Sequence, residues 1–161
     1  DKVDKIDLDI DGADEADARL QLIKGGGGAL LREKIIAAAS TEMLVVIDEN
    51  KLVKTLGKFP LPVEVAVFAW ELTFKQLLAL EAHPVLRVKE GRTFVTDNGN
   101  YILDCHFQKI HNAAALHTQL NNIPGVVENG LFLQYASRLI IGQHDGSVRE
   151  ITHPYPAKTS F

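Results

Sequence analysis

Cysteine occurs once in this sequence, at Cys105, so no internal disulfide can form and the chain suits a reducing compartment, which we take to be the cytoplasm. No apolar run reaches the ~20 residues that a membrane span needs, and the opening residues, DKVDKID, do not have the character of a signal peptide. Basic residues are not in excess. The 17 lysines and arginines stand against 21 acids, for a net charge of −4, and no basic stripe interrupts the sequence, which argues against nucleic acid as a partner. The six histidines show no i, i+4 pair of the helical zinc type, and one cysteine cannot complete a thiolate cluster. We therefore expect neither a metal nor another cofactor. Internal repeats and low-complexity segments are also missing. Methionine appears once, at Met43, well inside a sequence that begins at Asp1, and the expectation is of a fragment or the visible part of a longer chain.

With 46% hydrophobic residues, the chain can bury a sizeable core, either in one domain or in two lobes. Its chemistry is concentrated in residues 9–34, DIDGADEADARLQLIKGGGGALLREK. Ile6, Leu8 and Ile10 alternate with Asp7 and Asp9, which is the period of a strand, and the strand runs into the turn residues Asp11 and Gly12. Asp11 and Asp14 are thus delivered at a strand end, the usual place for functional groups in an open α/β sheet. A short apolar run at 20–23 ends at Lys24, and four glycines, 25–28, lead into a helical pattern over 29–40. Glycines before a helix N-terminus leave N–H groups free to face an anion, with Lys24 as a positive charge at the lip. Leu30, Glu33, Ile36 and Ala37 share one stripe of that helix, so Glu33 interrupts an apolar face. Partial burial would raise its pKa, as a general base requires.

Further along, 43–48 is a continuous apolar run of the kind found in buried parallel strands, and strand, helix and strand in succession predict a doubly wound, Rossmann-like, mostly parallel α/β sheet. Lys51, Lys54 and Lys58 follow. The prolines of 59–62 break regular structure and mark a lobe boundary. Strands are expected at 63–68, 85–89, 93–96 and 101–106, with turns at 90–92 and 97–100, and helices at 70–81 and 113–121. The DNGN of 97–100 reads as a turn and lacks the remaining oxygen ligands of a calcium loop. Short apolar runs at 126–127, 131–133 and 139–142 are expected to return to the main sheet, with a turn at 144–147 and a peripheral tail at 153–161. This divides the chain into a Rossmann-like unit of 1–58 and 126–161 and a small α+β lobe of 59–125. Taken alone, the acids of 11–17 fit a turn with helix-capping aspartates as well as they fit a site. Glu15 and Asp17 are expected at the surface, and Cys105 buried in its strand.

Four blocks, DGADE at 11–15, LIKGGGGALLREKI at 22–35, LGKFPLPVEV at 56–65 and TDNGN at 96–100, closely resemble type A ribose-5-phosphate isomerase, in order and over most of the chain. The resemblance implies metal-free interconversion of ribose 5-phosphate and ribulose 5-phosphate through an enediolate, in the non-oxidative branch of the pentose phosphate pathway. It makes Glu33 the base, Asp11 and Asp14 the holders of sugar hydroxyls that assist ring opening, and Lys24 the charge that offsets the enediolate. By the same resemblance the backbone of Gly25, Gly26 and Gly27 would bind the oxyanion, and Lys51 would help hold the substrate. Leu31 and Gly28 depart from the threonine and alanine common in the family. The family also carries an upstream phosphate loop of the Gly-Thr-Gly-Ser-Thr type, which this sequence does not contain, and it forms homodimers or homotetramers. A phosphosugar-sensing regulatory domain of the same fold is the competing reading, and retention of Glu33 with both aspartates speaks for the enzyme.

Overall fold

Acidic and apolar residues do alternate into a strand, Ile6–Gly12, which pairs in parallel with Ser40–Asp48 in a computed structural model that describes residues 5–152. The expected tail at 153–161 lies outside the described residues. Helix Leu30–Ala39 makes the crossover between these two strands, as parallel neighbours require. Strand Ser40–Asp48 is also parallel to Arg138–Gly142, which folds back on Val148–Thr152 through the expected turn. The sheet is therefore mostly parallel, in the order 6–12, 40–48, 138–142, 148–152.

Which side of the first strand points inward is the reverse of the usual pattern. Leu8 and Ile10 lie on the exposed face, whereas Asp9 and Asp11 are in register with Met43 and Val45, which are buried among Ala37, Leu139 and Ile141. Acids thus occupy the helix side of the sheet. The helix buries Leu30, Lys34 and Ala37, an i, i+4, i+7 stripe, and leaves Ile36 exposed where the sequence pattern had placed it inward. Lys34 can be buried because its ammonium meets Glu128 at 2.8 Å and the Asn129 carbonyl at 2.6 Å. Burial lowers its pKa and Glu128 opposes that.

A second, antiparallel sheet orders Val126–Asn129, Leu61–Val65, Tyr101–Cys105 and Pro84–Leu86, with helices Trp70–Ala79 and Ala113–Asn121 beside it. Its core gathers Leu61, Val63, Leu77, Leu103, Leu120 and Cys105, the last fully buried with its thiol pKa raised by that burial. Two expectations are corrected here. Residues 61–62 do not break structure: Pro62 sits inside strand Leu61–Val65 and gives its carbonyl to Gly130 N at 2.8 Å, beyond the ladder with Val126–Asn129, so its missing N–H leaves no gap. Of the three late apolar runs only 139–142 joins the main sheet; Val126–Asn129 pairs with Leu61–Val65 and Leu131–Phe132 with Leu22–Ile23. A ribbon of Val88–Lys89 and Arg92–Thr93 closes around Glu90 and Gly91. Among the described residues no helix is long and apolar enough to cross a membrane.

Glu15 and Asp17, expected as surface charges, are buried at 4% and 3% exposure. Glu15 accepts the N–H groups of Gly57 and Phe59, both at 2.7 Å, and Asp17 accepts those of Arg19 and Gln21. Each carboxylate is met by two backbone N–H groups, which is why the burial is tolerated. Glu15→Ala would strand two N–H groups and is expected to cost about 2–4 kcal/mol of stability, measured by urea denaturation.

Candidate active site

The carboxyl ends of the two parallel strands are where the site forms. Asp11 is the last residue but one of Ile6–Gly12, and Lys51 follows Ser40–Asp48 in the short helical turn Glu49–Lys51. Between them lies a cleft of about 180 Å³. Asp11, Asp14, Lys24, Glu33, Lys51 and the backbone of 25–27 all line it, so the structure brings together every residue singled out from the sequence.

Lys24 is not at the lip but at the floor, 3% exposed. Strand Leu22–Ile23 ends there, held between Glu15–Asp17 and Leu131–Phe132, and the Lys24 N–H donates to the Gly130 carbonyl at 2.9 Å. Its ammonium donates to the Gly12 carbonyl at 2.5 Å, meets Asp11 Oδ2 at 2.8 Å, and lies 3.4 Å from Glu33 Oε2 and 5.5 Å from the centre of the Phe132 ring. One buried cation thus serves two carboxylates. Its burial is answered chiefly by the Gly12 carbonyl and Asp11, with Glu33 at longer range, and both acids keep some contact with solvent.

Glu33 is in the first turn of helix Leu30–Ala39, aimed into the cleft, with 26% of its side chain exposed. Its Oε2 is out of solvent, and at 3.4 Å Lys24 is an ion-pair neighbour too long for a strong hydrogen bond; no other partner meets that oxygen among the described residues. Burial raises the Glu33 pKa, the Lys24 charge pulls it down, and Asp11 pushes it up again. Asp9 responds in the same sense, raised by burial and by Asp11, with one oxygen buried and unpartnered. A carboxylate that is accessible, poorly solvated and without a short hydrogen bond on one oxygen is well suited to take a proton.

Asp14 Oδ2 accepts the Gly26 N–H at 2.7 Å. A Cβ on Gly26 would fall 2.6 Å from Asp14 Oδ1, and Gly25 has φ of +102° with Leu30 Cβ 2.8 Å from where its own Cβ would stand. The glycines are therefore required by close approach and by backbone conformation. Gly26 and Gly27 are exposed to the cleft, and the Gly27 N–H makes no hydrogen bond among the described residues.

Residues remote in sequence complete the frame. The 97–100 turn forms as expected, and Arg32 ties it to the helix next to Glu33 through Asp97 and Asn98. Glu64, fully buried, anchors the same turn through Thr96, Asn98 and Asn100. Arg87, held by Asp104 of the second sheet, reaches the carbonyls of Gly25 and Gly26. Neither Glu64 nor Arg87 was evident in the sequence, because each acts on a partner 32 or more residues away. The buried position of Glu64 within LGKFPLPVEV was the one available signal.

Comparison with known proteins bears directly on this cleft. The family model for ribose 5-phosphate isomerase A (phosphoriboisomerase A) matches residues 1–146. The ribose-5-phosphate isomerase A of Bacillus mycoides (strain KBAB4) is 53% identical over 146 residues, covering 90% of this chain and 66% of that protein. That of Dinoroseobacter shibae (strain DSM 16493 / NCIMB 14021 / DFL 12) is 51% identical over 155 residues, covering 92% and 60%. The chain thus spans a little less than two thirds of the length of these curated relatives. Among solved structures, ribose 5-phosphate isomerase from Plasmodium falciparum superposes with a TM-score of 0.91 at 36% identity over 96% of this chain and 69% of that one. A D-ribose-5-phosphate isomerase in complex with phospho-erythronic acid gives 0.89 at 42% identity, over 93% and 66%.

Proposed function

The chain belongs to the ribose 5-phosphate isomerase A family, and on that premise we propose that it interconverts D-ribose 5-phosphate and D-ribulose 5-phosphate through an enediolate. The observation that carries this reading is Glu33 Oε2, buried with no short hydrogen bond, 3.4 Å from the Lys24 ammonium and beside the glycine run. Glu33 removes the proton from C2 of the open-chain aldose and returns it to C1, while the hydroxyl proton on O2 passes to O1. Atoms and electrons balance without an external oxidant or reductant. Charge that develops on oxygen meets Lys24 and the N–H groups of 25–27, of which that of Gly26 donates to Asp14 Oδ2 before substrate enters. Asp11 and Asp14 hold sugar hydroxyls and assist ring opening, and Lys51 helps hold the substrate at the cleft's edge. A sensing domain would need the anion cradle but not the base, so Glu33 lining one cleft with both aspartates favours the enzyme.

The reading places the reaction in the pentose phosphate pathway and the protein in the cytoplasm, in keeping with a single, buried, free cysteine. A homodimer or homotetramer is supported by apolar side chains left on the surface, Phe68 at 92% exposure foremost. We also keep the division into a 1–58 and 126–161 unit and a 59–125 lobe. One core, from Ala13 to Ile47 and Phe132 to Ile141, lies wholly in the first unit and supports it, whereas the other gathers Ile23, Leu56 and Leu131 with the lobe, and strand Val126–Asn129 crosses the boundary by pairing with Leu61–Val65.

The test is turnover of ribose 5-phosphate by this chain with EDTA present, with phospho-erythronic acid as competitor. Metal-independent turnover, inhibited by the competitor, is expected. A folded chain that neither turns over nor binds ribose 5-phosphate would overturn the proposal.

A further inference from the structure

Arg87 sits in the connection between strands Pro84–Leu86 and Val88–Lys89, far from the cleft in sequence. Its side chain is only 13% exposed. Asp104, on the neighbouring strand Tyr101–Cys105, grips the guanidinium from two directions, Nε at 2.9 Å and Nη2 at 2.5 Å. The remaining nitrogen, Nη1, donates to the carbonyls of Gly25 at 2.9 Å and Gly26 at 3.1 Å. The Phe94 ring lies 5.8 Å from Arg87 Cζ and stands against Gly28, where an added Cβ would meet it at 2.4 Å.

The consequence follows from the peptide unit itself. The peptides here are trans and planar, so the C=O and N–H of one unit point to opposite edges. When Arg87 holds the Gly25 carbonyl, the Gly26 N–H is turned the other way, and it does point at Asp14 across the cleft. When Arg87 holds the Gly26 carbonyl, the Gly27 N–H is turned the same way. Glycine has no side chain to oppose rotation of these planes, so without an outside grip they would sample several orientations. A rigid fork braced by a carboxylate supplies that grip, whereas a lysine offers one swivelling ammonium.

We propose that Arg87, braced by Asp104, is a positioning residue that turns the Gly25–Gly26 and Gly26–Gly27 peptide planes so that the Gly26 N–H meets the Asp14 carboxylate and the Gly27 N–H faces the cleft as an anion donor. The inference deepens the isomerase reading and rests on it for the identity of the anion. Arg87 touches no reacting atom; it acts through the glycine backbone.

The experiment uses the 161-residue chain labelled with ¹⁵N-glycine, as wild type, Arg87→Ala, Arg87→Lys and Asp104→Asn. Each is titrated with ribose 5-phosphate while amide shifts and turnover are followed. The Gly26 and Gly27 amides are expected to move with ligand in wild type and to lose that response in Arg87→Lys, although the positive charge is retained. In the same variant kcat should fall about 10–100-fold with KM within about threefold, because a misaligned donor costs most when charge develops on oxygen. Asp104→Asn should shift both readouts in the same direction by less. Should Arg87→Ala fail to fold, Arg87→Lys carries the test. A folded Arg87→Lys with the wild-type glycine response and kcat within threefold overturns the inference, as does a wild type whose glycine amides ignore the ligand. A wild type without turnover whose glycine response nonetheless depends on Arg87 leaves the positioning role standing and removes the isomerase reading.

Discussion

Glu33→Gln is expected to reduce kcat for ribose 5-phosphate isomerisation by about 10²–10⁴-fold, the span that a single positioned base contributes. Glutamine keeps the shape and one carbonyl acceptor but cannot take a proton, so KM should change little. The pH dependence gives an independent check. Burial raises the Glu33 pKa above that of an ordinary glutamate, more than Lys24 lowers it. The wild-type rate should therefore fall as pH drops through that raised value, and the limb should vanish from the residual activity of the variant. Stability has the opposite sign: a carboxylate with a raised folded pKa costs stability once pH exceeds its unfolded value, so the glutamine variant should melt no lower than wild type at neutral pH. Full activity in a folded Glu33→Gln would remove Glu33 from the mechanism.

The second large effect is expected at Lys24. Lys24→Met keeps the length and apolar stem but leaves Asp11 and Glu33 facing each other without the cation 2.8 and 3.4 Å away. We expect a loss of about 2–4 kcal/mol, at or below the cost of breaking a fully buried pair because both acids retain solvent contact. The loss should shrink toward acid pH, where the carboxylates left behind are protonated. With its cation gone, Glu33 should titrate at still higher pH, carrying the acid limb of the rate profile upward, and kcat should fall about 10²-fold as charge on the enediolate goes unanswered. Urea denaturation at two pH values and a kcat profile read all three effects. An unmoved acid limb would show that Lys24 does not govern the base.

Legibility differed by residue for physical reasons. Asp11, Asp14, Lys24, the glycines and Glu33 sit within one strand-loop-helix unit, so local spacing was enough to place them in a single cleft. Lys51 was legible only through the family resemblance, since a lysine in a basic loop is ordinarily surface. Glu15 and Asp17 were misread because a turn sequence rich in acids looks the same whether its carboxylates face water or accept backbone N–H groups, from residues 57 and 59 for Glu15 and from its own turn for Asp17. Ile36 was misplaced because the helical stripe admits either of two neighbouring faces, and the burial of Lys34 against Glu128 chose between them. Arg87 carried no signal, since its partners, the carbonyls of Gly25 and Gly26, have no side chains with which to announce a pairing.

By itself the sequence determined the strand-helix-strand crossover, the identity of the acids, lysine and glycines at its loop, and the family to which they belong. Period-two and period-3.6 patterning, glycine's conformational freedom and the spacing of charges are local properties, and they survive in a string of letters. Tertiary structure alone decided that Lys24 is buried between Asp11 and Glu33, that Asp9 and Asp11 face the helix while Leu8 and Ile10 face outward, and that Arg87 grips the glycine loop. Those outcomes depend on which surfaces meet once distant segments are packed, and on whether each buried charge then finds a partner.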